Sequence, residues 1–121
     1  MADKIDLRGR TRDFALRIIR LCNALPKTAE GGVIKRQLLR SGTSIGANYS
    51  SARRGRSHAD FTSKLGIVLE EADETVYWLE LIVHAGLLPA KQVEPLLDEA
   101  NQLVAIFVAS LRTARSATSA I

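Results

Sequence analysis

The stretch SHADFTSKLGIVLEEADETVYWLELIVHAG, residues 57–86, decides the fold class of this chain. Its apolar side chains recur every three or four residues, which is the period of one face of an α-helix. Ser57 with Asp60 three positions later is a capping-box pattern with Asp in place of Glu, and Gly86 is a typical helix stop. We therefore predict a helix of about 29 residues, roughly 44 Å long. The apolar stripe consists of Phe61, Leu65, Val68, Ala72, Val76, Leu79 and Val83.

The same helical period extends to both sides of this stretch, and strand signals are weak. We predict a first helix over about 11–25, which Pro26 ends, and a fourth over about 91–113 with Pro95 near its start. A second helix begins between Thr28 and Gly32. Short connections then give an all-α, antiparallel up-down four-helix bundle over residues 11–113. Residues 1–10 and 114–121 are expected to be flexible ends.

The second helix must pass through SGTSIGANYS, residues 41–50. Gly42 and Gly46 lie four apart on one helical face, and Ser44 adds little bulk, so another helix can pack closely there. Asn48 is predicted to lie near the core of the same packing region, where it needs hydrogen-bond partners if buried. A phosphate-binding loop is excluded because the G-x-x-x-x-G-K-[ST] pattern is missing. A break near Ser41 remains an alternative, since each glycine weakens a helix by about 1 kcal/mol.

Composition places the chain among single-domain globular proteins. It has 121 residues, of which 46% are hydrophobic, and Cys22 is its single cysteine, so no internal disulfide can form. Cys22 lies on the apolar stripe of the first helix and is predicted to be a buried core thiol. No apolar run is long enough to span a membrane, and the N-terminus is charged where a signal peptide is apolar. We expect a cytoplasmic protein with no membrane partner.

The third and fourth helices are apolar on more than one side, which favours burial against a second copy of the chain. A four-helix bundle of this size has few fully enclosed positions. We therefore expect a homo-oligomer. The candidate interface residues are Tyr77, Trp78, Leu81, Ile106 and Val108.

The charge is divided unevenly along the chain. Residues 1–58 carry 13 Lys/Arg and 4 Asp/Glu, a net charge of +9, whereas residues 59–121 carry 4 and 9, a net charge of −5. One interpretation is a surface that binds nucleic-acid phosphates without reading bases. The other is that the arginines pair with acidic residues of the third helix. The candidate nucleic-acid-binding residues are Arg12, Arg17, Arg20, Lys35, Arg36, Arg40, Arg53, Arg54 and Arg56.

No pattern typical of an enzyme is present. His58 and His84 are the only histidines, no H-E-x-x-H motif or cysteine cluster accompanies them, and the acidic residues of segment 70–74 lack the Glu-x-x-His motif of a two-metal bundle. We expect those carboxylates to be solvated or to pair across an interface. The sequence therefore predicts no catalytic residue, no metal site and no cofactor.

The run from Arg40 to Leu88 resembles the four-helix bundle proteins related to the 23S ribosomal RNA intervening-sequence proteins. The upstream segment 12–28, RDFALRIIRLCNALPKT, fits the first helix and turn of that family, and the resemblance covers roughly residues 11–113. Many members read Asn-Ile-Ala-Glu-Gly where this chain has residues 48–52, NYSSA, which suggests a subgroup. The matching features are Arg40, the segment 44–48 (SIGAN), the basic turn 53–56, Phe61, the acidic Glu70, Glu71 and Glu74, and the apolar segment 78–81.

The resemblance implies an up-down bundle that assembles into a ring of five copies. It also implies a distant similarity to the accessory protein of diversity-generating retroelements, a basic pentameric barrel that binds nucleic acid and a reverse transcriptase. Together with the basic surface, this favours a non-enzymatic, ring-shaped oligomer that binds RNA or DNA. The alternative is a structural or protein-interaction module whose charged and apolar surfaces serve assembly and docking of a protein partner.

Overall fold

The computed structural model describes residues 6–119, with side chains described to residue 117, and contains four α-helices and no strand in that range. The helices are α1 (Leu7–Asn23), α2 (Ala29–Arg53), α3 (His58–His84) and α4 (Ala90–Ser119). Each helix packs on the next along the chain, and α1 touches α4 only lightly. The predicted all-α fold with four helices is confirmed.

Contacts along the helices show the antiparallel arrangement. Ile18 faces Gly42 and Thr11 faces Gly46, so α1 and α2 run in opposite directions. The Nε2–H of His58, at the start of α3, donates to the carbonyl of Ala114 near the end of α4 at 2.8 Å. This bond fixes the tautomer of His58, because a carbonyl can only accept.

The core consists of the helical stripes that the sequence marks as apolar. Phe14 of α1, Leu38 of α2, Leu79 of α3 and Phe107 of α4 are each at most 1% exposed. The Tyr49 and Phe107 rings lie 5.7 Å apart and connect α2 with α4 across the bundle. Burial of apolar surface of this kind is the main favourable term in folding.

The ends of α3 follow the capping signals. The Ser57 hydroxyl accepts a hydrogen bond from the Asp60 N–H at 3.1 Å, as predicted. The Asp60 carboxylate accepts from the Arg56 N–H rather than from Ser57, and this bond is the main cause of its lowered pKa. At the other end Gly86 has φ +67°, and the Gly86 and Leu87 N–H groups bond to the Val83 and Ile82 carbonyls. This is a Schellman motif, in which glycine takes the left-handed position without strain.

The small-residue stretch continues α2 without a break, so the alternative of a break near Ser41 is wrong. A Cβ on Gly42 would lie 2.9 Å from Ile18 Cγ2, and one on Gly46 would lie 3.1 Å from Thr11 Oγ1. Both glycines thus allow the close approach of α1. On the same helix the Ser44 hydroxyl donates to the Arg40 carbonyl, and Asn48 Nδ2 donates to the Ser44 carbonyl at 2.8 Å. The half-buried Asn48 side chain therefore has a hydrogen-bond partner within α2.

Two helices are longer than the sequence predicts. α1 begins at Leu7 rather than Thr11, because Asp6 is its N-cap and accepts from the Gly9 N–H at 2.9 Å. α4 includes Pro95 in its second turn and continues to Ser119 rather than ending near 113. Residues 7–10 and 114–119, expected to be flexible, are therefore helical. The expectations for residues 1–5, 120 and 121 lie outside the described residues.

A paired arginine joins the lightly contacting helices α1 and α4. Arg10 Nε and Nη2 donate to the two Glu99 oxygens at 2.7 and 2.8 Å, and Nη2 also reaches Gln102 Oε1 at 2.8 Å. The hydrogen bonds from Arg10 lower the pKa of Glu99, whose side chain is 16% exposed. A forked arginine–carboxylate pair fixes geometry as well as contributing energy.

Replacing Gly42 by alanine should destabilise the protein, whereas the same change at Gly66 should stabilise it. Both glycines lie inside helices, but a Cβ at Gly66 meets nothing within 4 Å, while one at Gly42 meets the buried Ile18. Alanine gains up to about 1 kcal/mol of helix propensity at either position. Overpacking at Gly42 costs about 1–3 kcal/mol and outweighs that gain. Urea unfolding at matched protein concentration measures both changes, and an equal gain in stability at Gly42 would contradict the close packing.

The Glu99→Gln variant should be less stable than the wild type at pH 7 by about 1.5–3 kcal/mol, the range for hydrogen bonds to a charged group. Because the pKa of Glu99 is lowered in the folded state, its stabilisation is present above the unfolded value of about 4.3. It is lost as the pH falls through the folded pKa. The free energies of unfolding of the two proteins, measured with urea, should therefore become equal at low pH.

Glu94→Gln is the matched control, since Glu94 is exposed on the same helix and makes no ion pair within the described residues. It should leave the stability at pH 7 almost unchanged. If Glu99→Gln still had a lower free energy of unfolding than wild type at low pH, its loss of stability would not be electrostatic.

Candidate nucleic-acid interface

A groove of about 270 Å³ runs between α1 and α2 on the surface of the bundle. Arg8 and Arg12 supply its charge from α1. The other residues that line it are small and come from both helices. The residues lining it are Arg8, Thr11, Arg12, Ala15, Thr43, Gly46, Ala47 and Ser50.

A second pocket of about 150 Å³ adjoins this groove. It is lined by Arg8, Ser50, Arg53 and Arg54, and it shares Arg8 and Ser50 with the larger groove. The two hollows therefore form one continuous surface, which we call the basic groove. Its charged residues are Arg8 and Arg12 of α1 with Arg53 and Arg54 at the end of α2.

Local structure explains why these four arginines converge. Arg8 and Arg12 are four apart and lie on one face of α1. Arg53 is the last residue of α2 and Arg54 is its C-cap, where a cation interacts favourably with the helix dipole. Because α1 and α2 are antiparallel, the start of one lies beside the end of the other.

Arg8 is a site residue that sequence reasoning missed. The predicted first helix begins at Thr11, and Arg8 falls in the segment expected to be flexible. The signal that reveals it is Asp6 followed by Gly9, since Asp is a favoured N-cap and its carboxylate accepts the Gly9 N–H. With α1 begun at Leu7, Arg8 falls on the same face as Arg12.

The basic groove carries positive charge that acidic side chains do not neutralise. Within the described residues Arg8, Arg12, Arg53 and Arg54 are exposed and make no ion pair. No carboxylate lines either hollow. Four arginines that line one concave surface concentrate a positive potential there and attract anions.

Arg40 has a different environment from the other candidates. Its Nη1 lies 3.1 Å from Glu71 Oε2, and its Nη2 also pairs with Glu74. The Trp78 Nε1–H donates to the same Glu74 carboxylate at 3.0 Å. Arg40 thus connects α2 to the acidic face of α3, and the interpretation in which arginines pair with the third helix holds for this residue.

The remaining basic candidates are spread over other surfaces. Arg17 and Arg20 line a separate hollow of about 240 Å³ between α1 and α4, together with Gln92 and Pro95. Arg36 is exposed on α2 and lies 17 residues before Arg53, which is about 25 Å along the helix axis. The structure therefore brings Arg12, Arg53 and Arg54 together. It does not place Arg17, Arg20, Lys35, Arg36 or Arg40 among the residues lining the basic groove, and Arg56 lies in the adjoining turn.

Comparison with known proteins identifies the family. The profile described as 23S rRNA-intervening sequence protein matches residues 3–109, most of the chain. The chain belongs to this family. A crystal structure of a protein of unknown function from the S23 ribosomal protein family, from Bacteroides thetaiotaomicron, is similar to it. The TM-score is 0.80 at 36% sequence identity, over 86% of this chain and 96% of that chain. No curated protein matches the sequence.

The candidate interface residues of this intervening-sequence family member lie on α3 and α4. Tyr77 is 56% exposed, its ring lies 5.0 Å from that of Trp78, and Trp78 and Leu81 are half-buried. Ile106 is half-buried and Val108 is 37% exposed. These two are two residues apart on α4, so they point to different sides of that helix and cannot belong to one flat surface.

Within the described residues no group of three His, Cys, Asp or Glu side chains is placed to hold a metal ion. None of the four helices, searched over the same residues, combines the length and the apolar character needed to cross a bilayer.

Cys22 is buried, as predicted, and burial raises its pKa to about 11. A thiol with a raised pKa is a weak nucleophile at neutral pH.

Folded protein at pH 8 should therefore react with a thiol reagent far more slowly than protein unfolded in urea. Cys22 is 1% exposed, and its thiol is mostly protonated at that pH. The rate of modification, followed by absorbance with and without urea, measures this. Equal rates would mean that the first helix does not hold Cys22 in the core.

Proposed function

We propose that this protein binds RNA or DNA without catalysing a reaction, by contacting phosphates through the basic groove. The observation that carries the proposal is the convergence of Arg8, Arg12, Arg53 and Arg54 on a groove with no carboxylate in its lining. The family resemblance supports it. A cytoplasmic location is part of the proposal, since nucleic acid would have to be accessible there.

The chemistry of the groove suits a phosphate backbone. The guanidinium group offers forked donors that match two phosphate oxygens. The small residues Gly46, Ala47 and Ser50 leave room for a strand to approach the helices. No aromatic side chain lines the groove, so there is no platform on which bases would stack. Recognition would then depend on charge and shape rather than on base sequence.

We further propose that the protein assembles into a ring of identical copies, five by analogy with the resemblance. The exposed apolar residues Ile67 and Tyr77 on α3 support self-association, since they lie outside the core of the single chain. A ring would repeat the basic groove by symmetry. Several weak phosphate sites on one particle bind a long polyanion more tightly than a single site does.

The alternative is a structural or protein-interaction module. Exposed Tyr77 supports this function, since tyrosine is enriched in protein interfaces. Under this alternative the basic groove would serve assembly or contact an acidic protein. Nucleic-acid affinity separates the two proposals.

Binding of structured RNA and duplex DNA over a salt series should show log affinity falling linearly with log salt. A variant with Arg8, Arg12, Arg53 and Arg54 all replaced by alanine should bind more weakly at low salt and show a shallower slope. Its slope should decrease by about 0.9 for each duplex phosphate that the variant no longer neutralises. Fluorescence anisotropy with labelled nucleic acid measures both quantities.

The matched control replaces Arg17, Arg20, Lys35 and Arg36 by alanine. It removes the same charge from surfaces outside the basic groove, so its slope should stay close to that of the wild type. Light scattering must show the same assembly state in all three proteins. An equal weakening of binding in the two variants would mean that net charge, not the groove, governs binding. No binding by intact wild type at low salt would leave the protein-interaction module as the better account.

A further inference from the structure

The smaller hollow of the basic groove, lined by Arg8, Ser50, Arg53 and Arg54, has the size and chemistry of a site for one phosphate group. We infer that it binds the terminal phosphate monoester of a nucleic-acid strand whose backbone lies in the larger hollow. This inference rests on the proposed function and specifies its ligand as a phosphorylated end.

Three of the four lining residues are arginines that come from two different helices. Arg8 approaches from the first turn of α1, while Arg53 and Arg54 end α2. A pocket of about 150 Å³ is small enough for all three to surround one anion. Arginine binds phosphate through paired N–H groups, and such charge-assisted bonds are about twice as strong as neutral ones.

Ser50 contributes a hydroxyl that the protein itself does not use. Six of the nine buried or half-buried serine and threonine hydroxyls on the described helices donate to the carbonyl four residues earlier, and those of Ser41, Ser50 and Ser51 do not. Ser50 is half-buried, yet its hydroxyl makes no hydrogen bond within the described residues. It is therefore free to donate to a ligand oxygen.

The charge of the pocket favours a monoester over an internal diester. A terminal phosphate carries about −1.5 to −2 charges at pH 7 and offers three acceptor oxygens, as phosphorylated side chains do. An internal phosphodiester carries one negative charge and has only two non-bridging oxygens. Three guanidinium groups and a hydroxyl can therefore be satisfied more fully by the monoester.

The arrangement of the two hollows also suits a strand end. The larger hollow meets the pocket at Arg8 and Ser50 and continues along the helices to Thr43 and Ala15. A strand whose end occupies the pocket could extend into the larger hollow, where Arg12 would contact a following phosphate. Arg12 is thus expected to contact a phosphate of every bound strand, whereas Arg53 and Arg54 contact the terminal phosphate.

The test compares three forms of one single-stranded oligonucleotide: a 5′-phosphate, a 3′-phosphate, and hydroxyls at both ends. Anisotropy at constant salt should show one phosphorylated form binding about tenfold more tightly than the hydroxyl form, which corresponds to about 1.4 kcal/mol. The form preferred identifies which end enters the pocket. Equal affinity of all three forms overturns the inference while leaving the proposed function intact. No binding of any form at low salt overturns both.

Variants then test whether the smaller hollow causes the tighter binding of the phosphorylated oligonucleotide. Arg53→Lys/Arg54→Lys keeps the charge but loses the forked donors, so it should abolish most of the preference with little change in the salt slope. Ser50→Ala should reduce the preference, whereas Arg12→Ala should weaken all three forms by similar factors. A preference that survives the paired lysine variant and Ser50→Ala would overturn the assignment to this pocket.

A nucleoside monophosphate tested as a competitor distinguishes a nucleic-acid end from a small phosphate ester. It should displace the phosphorylated oligonucleotide only at concentrations far above the oligonucleotide's own Kd, because it cannot reach along the larger hollow. Displacement at an equal concentration would overturn the nucleic-acid end as the ligand.

Discussion

The close packing of α1 on the glycines of α2 is the constraint on which the candidate site depends. Ile18 and Thr11 lie against Gly42 and Gly46, positions where a Cβ would come within about 3 Å of the facing side chain. This packing sets the separation and register of the two helices. It also places Arg8 and Arg12 beside Ser50, one turn beyond Gly46. A wider spacing would separate the arginines of α1 from those at the end of α2.

The uneven charge of the chain serves two purposes in the structure. Some basic residues hold the bundle together: Arg10 joins α1 to Glu99 of α4, and Arg40 joins α2 to Glu71 and Glu74 of α3. The arginines of the basic groove have no such partners within the described residues. Residues 1–58 therefore contain arginines that pair with acidic residues and arginines that are available to bind phosphates. An arginine belongs to the first group when it lies beside an acidic residue of α3 or α4.

The sequence predicted the fold well because helical period and capping are local properties. The Ser57 cap, the Gly86 stop and the close packing at Gly42 could all be recognised from neighbouring residues. The start of α1 was predicted too late, although Asp6 is a favoured N-cap, because the Glu or Gln that completes a capping box does not follow it. Arg40 could not be separated from Arg53 by sequence either, since its partners lie 31 and 34 residues away on another helix. Pairing between helices depends on register, which one sequence does not specify.

In the binding mode that we propose, nucleic-acid phosphates occupy the basic groove between α1 and α2. A crystal structure of the protein with a bound oligonucleotide carrying bromine-labelled bases tests it most directly, because the anomalous signal locates the strand. We predict phosphates in contact with Arg8, Arg12, Arg53 and Arg54. A strand bound instead along the outer face of α3 or between α1 and α4, with the basic groove empty, would contradict the account.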